Sequence, residues 1–353
     1  MIVTETLISL LTSLIRTPSL SREEDQTAQL IVQFIESHGQ KTERHGHNVL
    51  ARNKHWEEGK PVLLLNSHHD TVKPNPSWTR DPFDPNVEGD QLFGLGSNDA
   101  GGPLVCLIGT FLHFAEQKNL PWNLILAATA EEEISGKNGI ASVLPQIGIV
   151  DLALVGEPTL LQPAIAEKGL MVLDAVARGK AGHAAREEGV NAIYEAMEDM
   201  TWFREFRFPE ESEFLGPVKM SVTQINAGTQ HNVVPDECRY VVDVRTNEFY
   251  PNQRALDLIR EQVTSEVTPR STRLNSSRLS PAHPIVKRAR SMGLEPYGSP
   301  TLSDQALIPY PSLKLGPGDS ARSHTADEFI RLSEIQSGLD TYINLLTDLE
   351  LPA

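Results

Sequence analysis

Val62-Leu63-Leu64-Leu65-Asn66-Ser67-His68-His69-Asp70 begins as an unbroken apolar run and ends on two imidazoles and a carboxylate. A strand with one wet face alternates apolar and polar residues, whereas a continuous run suits a strand buried on both faces. Leu124-Ile125-Leu126-Ala127-Ala128 and Leu152-Ala153-Leu154-Val155 repeat the pattern. Leu7, Leu10, Leu11, Leu14 and Ile15 have helical spacing, Thr17-Pro18 ends that helix, and 28–35 and 104–114 read as further helices. Strands alternating with helices predict an α/β fold, a mostly parallel sheet with helices on both faces.

After Lys168 the pattern changes. Residues 170–177, 218–225 and 239–245 read as strands, and 191–203 and 252–263 as helices. They predict a smaller α+β domain, 168–278, inserted into a larger domain made of 1–167 and 279–353. The last helix is expected to start at Ser333, with Ser333 and Gln336 at the spacing of a capping box. A length of 353 residues agrees with two domains. The net charge of -16 offers no basic footprint to nucleic acid or to an anionic membrane. Cys106 and Cys238 lie far apart, so neither a disulfide framework nor a cysteine metal site is expected. No stretch approaches the ~20 apolar residues of a membrane helix. No secretory signal pattern opens the chain, so a cytoplasmic location is expected.

Five segments carry metal-type side chains, and the first three follow a buried run or lie among glycines. Ser67-His68-His69-Asp70 places Asp70 two residues from His68, on the same side of an extended chain, where it can accept a ring N–H bond. Gly94-Leu95-Gly96-Ser97-Asn98-Asp99-Ala100-Gly101-Gly102 surrounds one carboxylate with glycine; a helix cap is the plainer reading of Asp99 by itself. Glu131-Glu132-Glu133 follows the second apolar run. Three adjacent carboxylates repel one another, so they mark either a solvated turn or a place where cations relieve the repulsion. Glu157 follows the third run, and Gly316-Pro317-Gly318 leads to Ser323-His324-Thr325-Ala326-Asp327-Glu328. In open α/β sheets, sites form beyond the carboxyl ends of the strands. Two histidines and several carboxylates without cysteine suit zinc, cobalt or manganese better than calcium.

These segments, in this order along nearly the whole chain, resemble the dinuclear zinc metallohydrolase family of acetylornithine deacetylase, succinyl-diaminopimelate desuccinylase, aminoacylase and carboxypeptidase G. The resemblance implies two Zn2+ ions, with Co2+ or Mn2+ as substitutes. It implies His68 and Glu157 on one ion, Glu133 and His324 on the other, Asp99 bridging, Asp70 orienting His68, and Glu132 as general base. It further implies that the inserted domain is a lid that dimerises. Gly179-Lys180-Ala181-Gly182-His183-Ala184 resembles the lid motif whose histidine reaches the active site of a dimer partner. Asn232, Arg245 and Gly318 fall where such enzymes bind substrate. The rival reading of Arg245 is a structural pair with Asp243, two residues away on one strand face. Two departures stand out. Asp99-Ala100-Gly101-Gly102 lacks the lysine of the family's Asp-x-Lys-Gly-Gly, and Gly94-Leu95-Gly96 replaces its Gly-Arg-Gly. Both weaken inference about substrate more than about mechanism.

The implied activity is hydrolysis of the amide of a small N-acyl amino acid, with N-acetylornithine deacetylation in arginine biosynthesis the favoured case. N-acetylcitrulline, N-succinylornithine and succinyl-diaminopimelate are alternative substrates. Aminopeptidase action on free N-termini and a catalytically silent ligand-binding homologue are the competing classes.

Overall fold

The computed structural model describes residues 3–351. Its contacts divide the chain into two units: the described residues of Met1–Ile165, Arg278–Tyr297 and Ser303–Ala353, and Ala166–Ser277 with Gly298–Leu302. The short return of 298–302 to the second unit has no counterpart in the sequence pattern.

The first unit is built on a mixed sheet. From one edge its strands run Thr42–His45, Asn48–Arg52, Asn123–Thr129, Val62–His68, Leu152–Val155 and Ser312–Lys314. The last four are parallel to one another. The first two form an antiparallel hairpin on the edge. Val62–His68 therefore has a parallel neighbour on each side, and Leu63, Leu64 and Leu65 are wholly buried. Leu64, Ile125, Ala127, Ala153 and Val155 pack with Ile140, Val143 and Ile147 of the helix Ile140–Ile147. Leu63 and Leu65 alternate to the other face. There the mostly apolar helix Gly102–Phe114 packs, backed by Thr4–Arg16 and Leu332–Leu346.

Register brings the predicted segments together. His68 lies opposite Thr129, so the imidazole and the three glutamates leave the sheet at the same level. Asn66 lies opposite Val155, two residues before Glu157. Val155 lies opposite Lys314, two residues before Gly316. A separate three-stranded sheet, Asn86–Glu88, Gln91–Phe93 and Phe329–Arg331, pairs Phe329 with Phe93 and sets the His324 segment beside the Asp99 loop.

The second unit is a four-stranded antiparallel sheet in the order Lys219–Ala227, Glu237–Thr246, Gly169–Arg178 and Glu266–Pro269. Strict alternation along Gly169–Arg178 points Met171, Leu173, Ala175 and Ala177 into one core. The helices Ala192–Glu205 and Asn252–Arg260 contribute Ala196, Phe203, Leu256 and Ile259 to it. The Lys219–Ala227 edge is mostly exposed or half-buried.

One local expectation fails. The last helix, Leu332–Leu346, is not capped by Ser333 and Gln336. Ser333 already lies in the first turn, where Asp90 accepts from its N–H and its hydroxyl. Glu334 instead reaches back to the Arg331 N–H at 2.9 Å. A carboxylate from a distant loop displaced the local cap. Among the described residues, no helix is long and apolar enough to cross a membrane.

Candidate metal centre

His68 ends its strand with the ring fully enclosed. Its Nδ1 is 3.0 Å from the Asp70 carbonyl oxygen and 3.4 Å from the Asp70 carboxylate. Nε2 then faces three carboxylates: Asp99 at 3.3 Å, Glu132 at 3.9 Å and Glu157 at 3.9 Å. The neighbouring His69 turns away, bonding Thr27 through Nδ1 and the His47 carbonyl through Nε2. Burial pushes its pKa down to about 4. Only the first imidazole of the pair serves the centre.

Asp70 has a second task. Its carboxylate accepts the Ser21 hydroxyl at 2.7 Å and the N–H groups of Glu132 and Glu133 at 3.0 and 3.2 Å. It therefore fixes the turn that presents both glutamates. Glu24, wholly buried, accepts the Glu131 N–H at 3.2 Å and pairs with His47 at 2.6 Å. Glu131 itself folds back onto Asn138. All three glutamates are at least partly buried, but only Glu132 and Glu133 face His68 and His324.

Asp99 joins the two halves of the centre. Oδ1 faces His68 at 3.3 Å, and Oδ2 faces His324 Nε2 at 3.7 Å. His324 also lies 3.0 Å from Glu133. Ligand atoms of His68, Asp99 and Glu133 all lie within 4.8 Å of one another. The Asp99 loop bends through Gly96 at φ +73°, where a Cβ would stand 2.6 Å from Thr71 Cγ2. Gly318, at φ +90°, lets the Asn98 amide approach; a Cβ there would meet its oxygen at 2.4 Å.

Electrostatics tests whether these donors fit cations. Burial raises Glu132 well above the usual carboxylate range, and the charges of Glu157, Asp304 and Glu133 add to it against the pull of His68. Burial, with Asp99 beside it, pushes Glu157 up to about 8. His324, bonded to Glu133, is pushed up to about 9. His68 is raised despite its burial, because Asp70 and Asp99 accept from its ring. Carboxylates that resist sharing negative charge, around imidazoles that hold protons, form a pocket short of positive charge. Divalent cations fit that donor set and that deficit. Glu157, Asp99 and His68 would hold one ion; Glu133, Asp99 and His324 would hold a second.

Three buried carboxylates carry no signal in the sequence. Glu24 and Glu328 hold loop amides, and Asp304 accepts the Thr129 hydroxyl at 2.7 Å. Glu24 and Glu328 lie in irregular segments and Asp304 opens the short 3-10 helix Asp304–Leu307, where no periodicity marks an inward residue.

A family model, Peptidase family M20/M25/M40, matches residues 64–348. The chain belongs to this family. It is accordingly a hydrolase that acts on amide bonds. An acetylornithine deacetylase of Proteus mirabilis (strain HI4320) is 29% identical over 94% of this chain and 93% of the relative. A succinyl-diaminopimelate desuccinylase 2 of Ruegeria sp. (strain TM1040) is 25% identical over 71% of this chain and 68% of the relative. A Bacillus subtilis structure described as a dinuclear metal-binding M20 peptidase superposes with a TM-score of 0.76 at 18% identity, covering 99% of both chains. That likeness extends to the fold of the M20 chain as a whole.

The remaining sequence candidates lie in the second unit. His183 sits in a two-residue bridge, Gly182–His183 against Val233–Val234, and accepts the Ala185 N–H through Nδ1 at 3.1 Å. Asn232 is exposed, its carbonyl accepting the Ala184 N–H. Arg245 is clasped by Asp243 through Nε and Nη2 at 2.8 and 3.1 Å, so the structural pair considered from sequence is formed.

Proposed function

We propose that this M20 hydrolase is a two-zinc deacylase cleaving the amide of an N-acyl amino acid, with N-acetylornithine, in arginine biosynthesis, as the favoured substrate. Asp99 carries the reading: its two oxygens face different imidazoles, with Glu132 close by. Similarity to an acetylornithine deacetylase over nearly the full length supports this substrate. Nitrogen and oxygen donors without cysteine suit zinc, with Co2+ or Mn2+ as substitutes.

When bound, such ions supply Lewis acidity and lower the pKa of water toward neutrality. Glu132 takes a proton from the attacking water and returns it to the leaving amine. Asp70 orients His68 and holds the amides behind Glu132 and Glu133. His183 is assigned to the oxyanion, and Arg245, with Asn232 and Gly318, to the substrate and its α-carboxylate.

A panel of N-acetylornithine, N-acetylcitrulline, N-succinylornithine, N-succinyl-diaminopimelate and an unblocked dipeptide tests the reading on zinc- or cobalt-loaded protein. The highest kcat/KM is expected with N-acetylornithine. Preference for the succinylated diamino acid, favoured by the desuccinylase similarity, would replace the substrate. Preference for the dipeptide would replace the class.

The second unit is assigned to homodimerisation. Its Lys219–Ala227 edge lies open, and Tyr194, Met197 and Ile225 are 67%, 52% and 56% exposed. Tyr194 and Met197 lie on the helix Ala192–Glu205 and Ile225 on the edge strand itself, and an unpaired strand edge is a template for a second chain. Sedimentation is expected to give a dimer that Ile225→Asp converts to monomer; a monomeric parent protein ends this assignment.

A further inference from the structure

We infer that Glu328 is a positioning residue that aims the two oxygens of Asp99 at different halves of the metal centre. The inference rests on the metal-dependent reading above. Glu328 is 2% exposed. Its Oε2 accepts the Gly96 N–H at 3.1 Å, and its Oε1 accepts the N–H groups of Asn98 and Asp99 at 2.8 and 2.9 Å. Both oxygens are thus engaged by the backbone of the loop, so Glu328 shapes that loop instead of serving as a ligand.

The surroundings leave the loop little other freedom. The Glu328 carbonyl accepts the Gly94 N–H at 3.0 Å, and Phe329 pairs with Phe93 in the small sheet. The carboxylate is therefore delivered by a strand already paired with the segment entering the loop. Asn98 closes the far side, its amide oxygen accepting the Asp319 N–H and its nitrogen donating to the Asp319 carbonyl. Turned by Gly96 and held by Glu328, the loop places Asp99 between His68 and His324. His324 and Glu328 are four residues apart, so one segment supplies both a ligand of the second half and the anchor of the shared carboxylate. Such outer partners of metal ligands are commonly worth 10–100-fold in affinity.

Glu328→Gln is nearly isosteric and tests the acceptor chemistry alone. A glutamine keeps one oxygen and turns an NH2 toward at least one of the three N–H groups, a donor facing a donor. The full chain, stripped of metal, is titrated with Zn2+ against a chromophoric chelator, and visible spectra are taken with Co2+. The variant is expected to bind both ions roughly 10–100-fold more weakly, with an altered cobalt spectrum. Unchanged affinities and spectrum overturn the inference, even if thermal stability falls, because a merely structural role predicts that pattern. If the parent protein binds no divalent ion, the functional reading and this inference fail together. If it binds two ions and the variant binds them equally well, this inference alone fails. Should the variant unfold, Asn98→Ala, which loosens the far side of the same loop, is expected to weaken both ions in the same direction; unchanged affinity there also overturns the inference.

Discussion

Glu132→Gln is expected to keep its metal and lose turnover by roughly 10²–10⁴-fold, the usual worth of a positioned proton-transfer group. The substitution preserves shape and the backbone N–H bond to Asp70, which belongs to the main chain. It removes the only function assigned to the side chain, acceptance and return of a proton. The raised proton affinity of this buried carboxylate, set by burial and then by neighbouring Glu157, Asp304 and Glu133 against His68, agrees with a group that takes up a proton more readily than a free carboxylate. Metal content by mass spectrometry and kcat on the preferred substrate check the two halves of the expectation. Substantial turnover by the metal-loaded variant assigns the base elsewhere. Loss of metal together with turnover makes Glu132 a ligand instead.

Asp99→Ala is expected to be more damaging. Asp99 faces both His68 and His324, so its removal deprives both halves of the centre of one shared donor. Loss of the bound Lewis acid removes several kcal/mol of transition-state stabilisation, so activity should fall by at least about 10³-fold. Stability gives an independent reading. A ligand bound only to the folded chain raises its apparent stability with the logarithm of its concentration over Kd. Added Zn2+ should therefore raise the melting temperature of the parent protein and leave Asp99→Ala nearly unmoved. The metal-free variant should melt somewhat lower than the metal-free parent near neutral pH, since the Asp99 carboxylate, held below its usual range by the His68 ring despite its burial, stabilises the fold wherever it is ionised. A zinc-dependent rise equal to that of the parent would show that Asp99 holds no ion. His324→Ala is a useful contrast, because it should weaken one ion more than the other.

Much of this centre is legible in the amino-acid order. The apolar runs ending at Leu65, Ala128 and Val155 call for strands buried on both faces, and a parallel sheet puts their ends on one side. His68, Glu132, Glu133 and Glu157 follow from those ends by chain connectivity alone. The antiparallel hairpin Thr42–His45 with Asn48–Arg52 is not legible, because Thr42-Glu43-Arg44-His45 is short and charged and carries no apolar period. Nor is the cap of the last helix, where Asp90, more than two hundred residues away in sequence, takes Ser333. Arg245 shows the limit from another direction. Two residues on one strand face predict its pairing with Asp243, yet that same face is what a substrate-gripping role requires.

By itself the sequence determined which strands are buried, where they end, and that imidazoles and carboxylates follow those ends. Apolar periodicity is a local property of the chain, and it dictates which side of an element faces inward. Past the last paired residue that periodicity stops, and the direction of each side chain is set by whichever remote group accepts or donates a hydrogen bond. Tertiary structure alone therefore supplied the reason that His68 faces the centre while His69, also buried, does not: Thr27 and the His47 carbonyl hold the second ring away. It likewise decided that Glu131 leaves the acidic turn for Asn138, and that Glu328, unmarked in the chain, holds the loop of Asp99.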